Sequence, residues 1–191
     1  IMKHLLFPNL SLIFERQAAI GDFTNIFISN CLVESHVLGT MFSKGITAPL
    51  YLYPEINAQQ TIDQTTERTP NLNIEIVNQI ANKLGLRFTN EKETDENTFA
   101  PIDILDYIYA VLHSPTYREK YKEFLKIDFP RVPYPSGRDA MHCVSKFWQL
   151  VKLGGKLRQI HLLESPTVEK YITQYPFDGT NEIRKIVFEN N

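Results

Sequence analysis

Residues 105–135 read LDYIYAVLHSPTYREKYKEFLKIDFPRVPYP. Leu105, Ile108, Tyr109 and Leu112 recur at helical spacing, so one apolar stripe follows a helix that begins at Pro101, where a proline ring breaks no intrahelical bond. Ser114-Pro115 restarts the chain, the serine as N-cap and the proline as first helical residue. Tyr117, Tyr121, Phe124 and Leu125 then follow at i, i+4, i+7 and i+8. Pro130, Pro133 and Pro135 force extended backbone around Arg131 and Tyr134, because the residue before each proline is driven out of the helical region. A helix, a capped restart and a proline-locked exit place this half of the chain in the helical class.

Outward from this unit the period changes. Toward the C-terminus a long helical pattern runs from about 138 to 163 with an expected interruption at Gly154-Gly155, and Ser165-Pro166 repeats the cap. Residues 182–188 read as a closing strand. Toward the N-terminus, Ile76, Ile80 and Leu84 repeat every four residues, and Gly85 stands where a helix ends in a left-handed residue. Residues 90–97 are polar and acidic, an exposed loop, and residues 58–69 are a threonine-rich connector. The first 55 residues carry strand signals. LSLIF (10–14) and NIFIS (25–29) flank a turn in AIGDFT, APLYLY (48–53) alternates and stops at Pro54, and residues 31–41 supply a short strand or a loop. The expected fold class is α+β: an antiparallel or mixed β half (1–57) followed by a helical half (70–191), within one domain.

Composition bounds the function. The chain of 191 residues, 43% hydrophobic and 22% charged, can bury a substantial core, and no apolar run approaches the ~20 residues that cross a bilayer. Cys31 and Cys143 lack paired spacing and read as buried free thiols, which suits a reducing cytoplasm. The start at Ile1-Met2 on an apolar run reads as a piece of a longer polypeptide. Twenty basic and 22 acidic residues leave a net charge of −2, so a strongly basic surface is not indicated. The charge is unevenly spread. Residues 91–106 hold six acids against Lys92 alone, whereas Arg138, Lys146, Lys152, Lys156 and Arg158 face only Asp139.

Catalytic motifs are missing. There is no glycine-rich dinucleotide turn and no phosphate loop, and no acid has a lysine two positions later, the pairing many metal-dependent nucleases use. Asp103 and Asp106, three apart, suit a general acid/base pair or a helix start whose dipole favours carboxylates. His113-Ser114 and His142-Cys143 suit a nucleophile and its base, or an N-cap and a core thiol. The five histidines lack zinc-ligand spacing. Tyr51, Tyr53, Tyr107, Tyr109, Tyr117 and Tyr121 suit a stacking platform for exposed nucleotides or core packing.

DYIYAVLHSPTYREKY (106–121) and DFPRVPYP (128–135) resemble the C-terminal specificity, or target-recognition, region of type ISP and type IIG-like restriction–modification enzymes. MKHLL (2–6), LSLIFERQ (10–17), NIFIS (25–29), PLYLYP (49–54), residues 70–84 and KLGGKLRQIHLLES (152–165) continue the resemblance in order along most of the chain. It implies sequence-specific recognition of duplex DNA by a fragment with no chemistry, cofactor or metal of its own. The methyltransferase of the parent enzyme would act on adenine-N6 with S-adenosylmethionine. The partners implied are double-stranded DNA and that methyltransferase module, and no membrane. A protein-interaction module docking on the methyltransferase or helicase portion is the alternative.

Candidate contact residues follow from residue type. Arg16 and Gln17 end a strand at a loop and are the side chains that bond guanine and adenine bidentately. His36 and Lys44 lie in polar loops, and Arg131 is held rigidly between prolines with Asp128 three residues away as an ion-pair partner. Lys146, Lys152, Lys156 and Arg158 read as a backbone-binding helix. Each also suits an ordinary solvated surface.

Overall fold

The computed structural model describes residues 1–18, 21–34, 37–38, 45–54, 67–170, 179–180 and 182. The chain opens with a 3-10 turn at Met2–Leu6. β1 (Ser11–Phe14) is the centre of a three-stranded antiparallel sheet, with β2 (Ile26–Ser29) on one side and β3 (Ile46–Pro49) on the other. Strand β2 alternates as its sequence implies: Ile26 and Ile28 are buried and Phe27 is exposed.

The alternating run at 48–53 is expected as one strand, but it divides. Pro49 ends β3, and β4 (Tyr51–Leu52) pairs instead with β5 (Thr69–Pro70) in a second small sheet. The buried Asn9 side chain makes the switch possible by acting as a strand partner. Its Nδ2 donates to Tyr51 O at 2.8 Å, and Tyr51 N donates to its Oδ1 at 3.1 Å. Of the expected connector at 58–69, only residues from 67 onward are described, and Thr69 belongs to β5.

Helix α1 (Ile74–Leu84) is capped by Asn73 and closes on Gly85, whose φ of 65° is left-handed. Its buried stripe is Val77, Ile80 and Leu84, and Ile76 faces solvent. β6 (Arg87–Phe88) and β7 (Thr98–Phe99) form a short parallel pair around the acidic loop. Helix α2 (Pro101–His113) is buried on nearly every side. Ser114 Oγ accepts from Tyr117 N and caps α3 (Pro115–Lys120), which breaks at Tyr121 before α4 (Lys122–Leu125). Residues 129–135, with their three prolines, then form neither helix nor strand.

Helix α5 (Ala140–His161) packs along α2 and runs unbroken through Gly154-Gly155, contrary to the expected interruption. A Cβ at Gly154 would sit 1.8 Å from the Asp106 carbonyl oxygen, so the missing side chain is what lets the two backbones touch. Ser165 caps a final 3-10 turn at Pro166–Glu169; the expected closing strand lies outside the described residues apart from Glu182. One hydrophobic core is continuous across both halves, from Leu12, Ile26 and Leu50 through Val77, Phe99 and Tyr109 to Phe147 and Val151. Cys143 is buried as expected; Cys31 is exposed.

Candidate functional site

Two arginines far apart in sequence meet at one edge. β1 ends at Phe14, Glu15 turns inward, and Arg16 is exposed with Gln17 half-buried. Ala18 N donates to Leu125 O at 2.9 Å, which ties the strand exit to the end of α4. The ring of Phe129 packs edge-on against Phe14, and the Arg16 guanidinium lies over it at 5.3 Å. Arg131 lies over Phe124 at 5.1 Å and donates from Nη2 to Asp128 Oδ2 at 3.3 Å.

The segment carrying Arg131 is pinned from below. Tyr117 Oη donates to Arg131 O at 3.1 Å and Tyr107 Oη to Pro133 O at 2.9 Å. The Asp128 carboxyl is held below the usual carboxylate range, first by the donated N–H of Phe129, then by Arg131 and Arg16. Both guanidiniums therefore act on one carboxylate. With its side chain 77% exposed and only Nη2 bonded to Asp128, Arg131 keeps most of its fork of donors for a phosphate or a base edge.

Helix α5 does not present its four cations together. Lys152 and Lys156 are exposed one turn apart on its outer side. Lys146 is exposed beside a groove of about 520 Å³ bounded by α3, α5 and the proline-rich segment. Arg158 turns inward. Its Nε donates to Asp106 Oδ1 at 2.7 Å and its Nη2 to Oδ2 at 3.1 Å, with 15% of the side chain exposed. The signal is present in the sequence: Arg158 falls four residues after Gly154, on the stripe that Cys143, Phe147 and Val151 bury. His36 and Lys44 lie outside the described residues.

The tyrosine platform is mostly core. Tyr51, Tyr107, Tyr109 and Tyr117 are buried; Tyr53 stacks on Phe7 and donates to Pro8 O, and Tyr121 is half-buried on the groove. Helix-stripe spacing picks out the buried Tyr109 and Tyr117, but it misses Tyr107, buried off the stripe, and overstates Tyr121, which keeps the spacing and is half-buried. The groove itself has no sequence signal, because it forms between segments that meet only in the folded chain.

Residues 1–191 match the family model of the Type ISP C-terminal specificity domain. The chain belongs to that family. Two solved structures share the fold. One is an ATP-dependent Type ISP restriction-modification enzyme, LlaBIII, bound to DNA, with TM-score 0.57 and 20% identity over 81% of this chain and 8% of that one. The other is the cryo-EM structure of a DrdV–DNA complex, with TM-score 0.57 and 22% identity over 81% of this chain and 12% of that one. The chain therefore spans about a tenth of the length of these relatives. No curated protein matches. Among the described residues no helix is long and apolar enough to cross a membrane.

The residue pairs with catalytic spacing are taken up in this specificity domain by structural partners. Asp103 accepts from Ala100 N and from Lys92 Nζ, each at 2.8 Å, while Asp106 holds Arg158, so the two carboxylates serve different elements. His142 Nδ1 lies 2.8 Å from Asp139 on the surface, and Cys143 points into the core. His113 Nδ1 lies 3.2 Å from Arg118 Nη2, and its ring packs edge-on against Tyr109 and His161. No group of three or more metal-ligating side chains occurs among the described residues.

His113 gives the domain an acid-sensitive joint. Burial, then Arg118 and His161, lower its pKa to about 4 from an ordinary 6.5. Between those values the unfolded chain takes up the proton and the folded one does not. The contribution is therefore present above pH 6.5 and is lost as pH falls toward 4. At about 1.4 kcal/mol per unit, up to roughly 3 kcal/mol is at stake. Urea unfolding midpoints measured between pH 7 and 4 should fall in the wild type and fall less in His113→Phe; parallel curves would remove His113 as the cause.

Proposed function

We propose that this specificity domain recognises a target sequence in duplex DNA for a restriction–modification enzyme. The family match over residues 1–191 carries the reading. The convergence of Arg16 and Arg131 on one exposed edge supports it, because two guanidiniums backed by aromatic rings suit phosphate and guanine. In this reading Arg16 and Gln17 meet base edges and Arg131 clamps a phosphate beside them. Lys152 and Lys156 supply backbone contacts, and His36 and Lys44, outside the described residues, are further candidates for contact with the DNA. Arg158 is set aside for the helix pair. The structures of LlaBIII and DrdV with DNA are complexes of much longer chains. We infer that bond-making in the parent enzyme belongs to a separate adenine-N6 methyltransferase module using S-adenosylmethionine, against which this domain docks.

Fluorescence anisotropy with labelled duplexes over a range of salt tests the interface. Replacing Arg16 and Arg131 by alanine should lower the slope of log affinity against log salt by about 1 for each phosphate that goes unneutralised. Each base edge left unread should cost ~1–3 kcal/mol of discrimination between sequences. Unchanged affinity and slope would remove the edge from the interface. Absence of duplex binding by the wild-type chain at 50 mM salt would reject the function itself.

A further inference from the structure

We propose that the groove between α3, the proline-locked segment and α5 receives one unstacked nucleotide of the bound DNA, its base against Tyr121 and Tyr134 and its phosphate at Lys120 and Lys146. This rests on the DNA-binding reading and adds to it a site apart from the Arg16/Arg131 edge. The groove encloses about 520 Å³, within the range of small-ligand sites. Its shape is fixed by bonds already described: Tyr107 and Tyr117 spend their hydroxyls on the carbonyls of Pro133 and Arg131, so the segment forming one wall is tied to the helices forming the other.

Charge selects the occupant. No carboxylate lines the groove among the described residues, whereas Lys120 and Lys146 both do. Glu119, the neighbouring acid, lines a separate pocket on the other side of α3 with Arg118 and Lys122. A third cation, Lys83, lies 5.1 Å over the ring of Tyr134, and Lys120 lies 5.4 Å over Tyr121. The rim therefore pairs each partly exposed tyrosine with a lysine. An anionic ligand with a flat aromatic part satisfies both, and a nucleotide is such a ligand. A peptide strand without acidic side chains would satisfy the rings and leave the lysines unmatched.

A base must leave its stack to reach the groove, so a nucleotide that is already unpaired enters without that cost. The 191-residue chain is titrated by fluorescence anisotropy with a perfectly paired duplex and with the same duplex carrying one extra unpaired nucleotide. The unpaired duplex should bind at least about fivefold tighter, the lower end of what one stacked base contributes. In Tyr121→Ala/Tyr134→Ala the preference should fall to near unity while affinity for the paired duplex stays within about twofold. Lys120→Gln/Lys146→Gln leaves the apolar core untouched and should also cut the preference. Equal binding of both duplexes by the wild type, or a preference that survives in both variants, overturns the proposal and leaves duplex recognition standing. If dAMP alone shifts the Tyr121 and Tyr134 resonances and the duplexes bind equally, the groove holds free nucleotides and the extruded-base proposal fails. If neither duplex binds at low salt, the DNA-binding reading falls and this inference with it.

Discussion

Alanine at position 154 should destabilise the domain by about 4 kcal/mol or more, although it adds a single methyl group to a helix that alanine normally favours. The added Cβ would lie 1.8 Å from the Asp106 carbonyl oxygen and 2.6 Å from its carbonyl carbon. Those are backbone atoms in the middle of α2, so no rotamer change relieves the overlap, and α5 must move away along the most extensive helix–helix packing among the described residues. Overpacking of ordinary side chains costs about 1–3 kcal/mol, and this approach is far closer than any side chain tolerates. For a domain of this size each kcal/mol lowers Tm by about 2–4 °C, so a drop of at least roughly 8 °C is expected by calorimetry or circular dichroism. Gly155→Ala is the matched control. Its Cβ would meet side-chain atoms and no backbone: Asp106 Oδ2 at 3.0 Å, with Asp106 Cγ at 3.6 Å and Arg158 Nη2 at 4.0 Å behind it; helix propensity returns about 1 kcal/mol, so a change within about 1 kcal/mol either way is expected. If Gly154→Ala proves as mild as Gly155→Ala, the close approach of α2 and α5 is wrong.

The same glycines show where local reasoning fails. Propensity counts Gly-Gly as a break, and only the packed partner reveals that the missing side chain is the reason the helix belongs there. Ile76 fails similarly. A repeat of four advances 40° around the helix at each step, so a strict fours pattern drifts off the buried face, which Val77, Ile80 and Leu84 hold by steps of three and four. Where one residue carries its own conformational constraint, the sequence is readable: Ser114-Pro115 starts a helix, Gly85 ends one, and the prolines at 130–135 keep the chain out of helix. At the candidate interface, Arg16 and Arg131 are each identifiable as cations at rigid chain exits. The field that both exert on Asp128 is not, since it depends on Phe129 reaching back to β1 across more than 110 residues of sequence. The overall charge of −2 carries little information, because local placement, not the sum, decides what an arginine can touch.

Arg158 supplies the sharpest separation between a structural and a DNA-binding cation. Removing it as Arg158→Met should cost about 3–5 kcal/mol at neutral pH, because the Asp106 carboxylate is left without its partner between α2 and α5. Burial, with a smaller push from the Asp103 carboxylate, holds the Asp106 pKa above its ordinary value even with the guanidinium bonded to it. Without Arg158 the group escapes by taking up a proton. A folded-state pKa above the unfolded one means stability is retained at low pH and lost as pH rises through the folded value, so the deficit of Arg158→Met should shrink on acidification. Asp106→Leu/Arg158→Met, which leaves no orphaned charge, should recover most of the loss, since apolar replacements of buried pairs are often neutral or better. The two single variants and the double, unfolded in urea at pH 7 and pH 5, give the coupling directly. A double variant no better than the sum of the singles would show that the pair does not act as a unit. Duplex affinity then assigns the role: folded Asp106→Leu/Arg158→Met protein should keep the salt slope of the wild type, and a slope lowered by about 1 would return Arg158 to the phosphate-binding set.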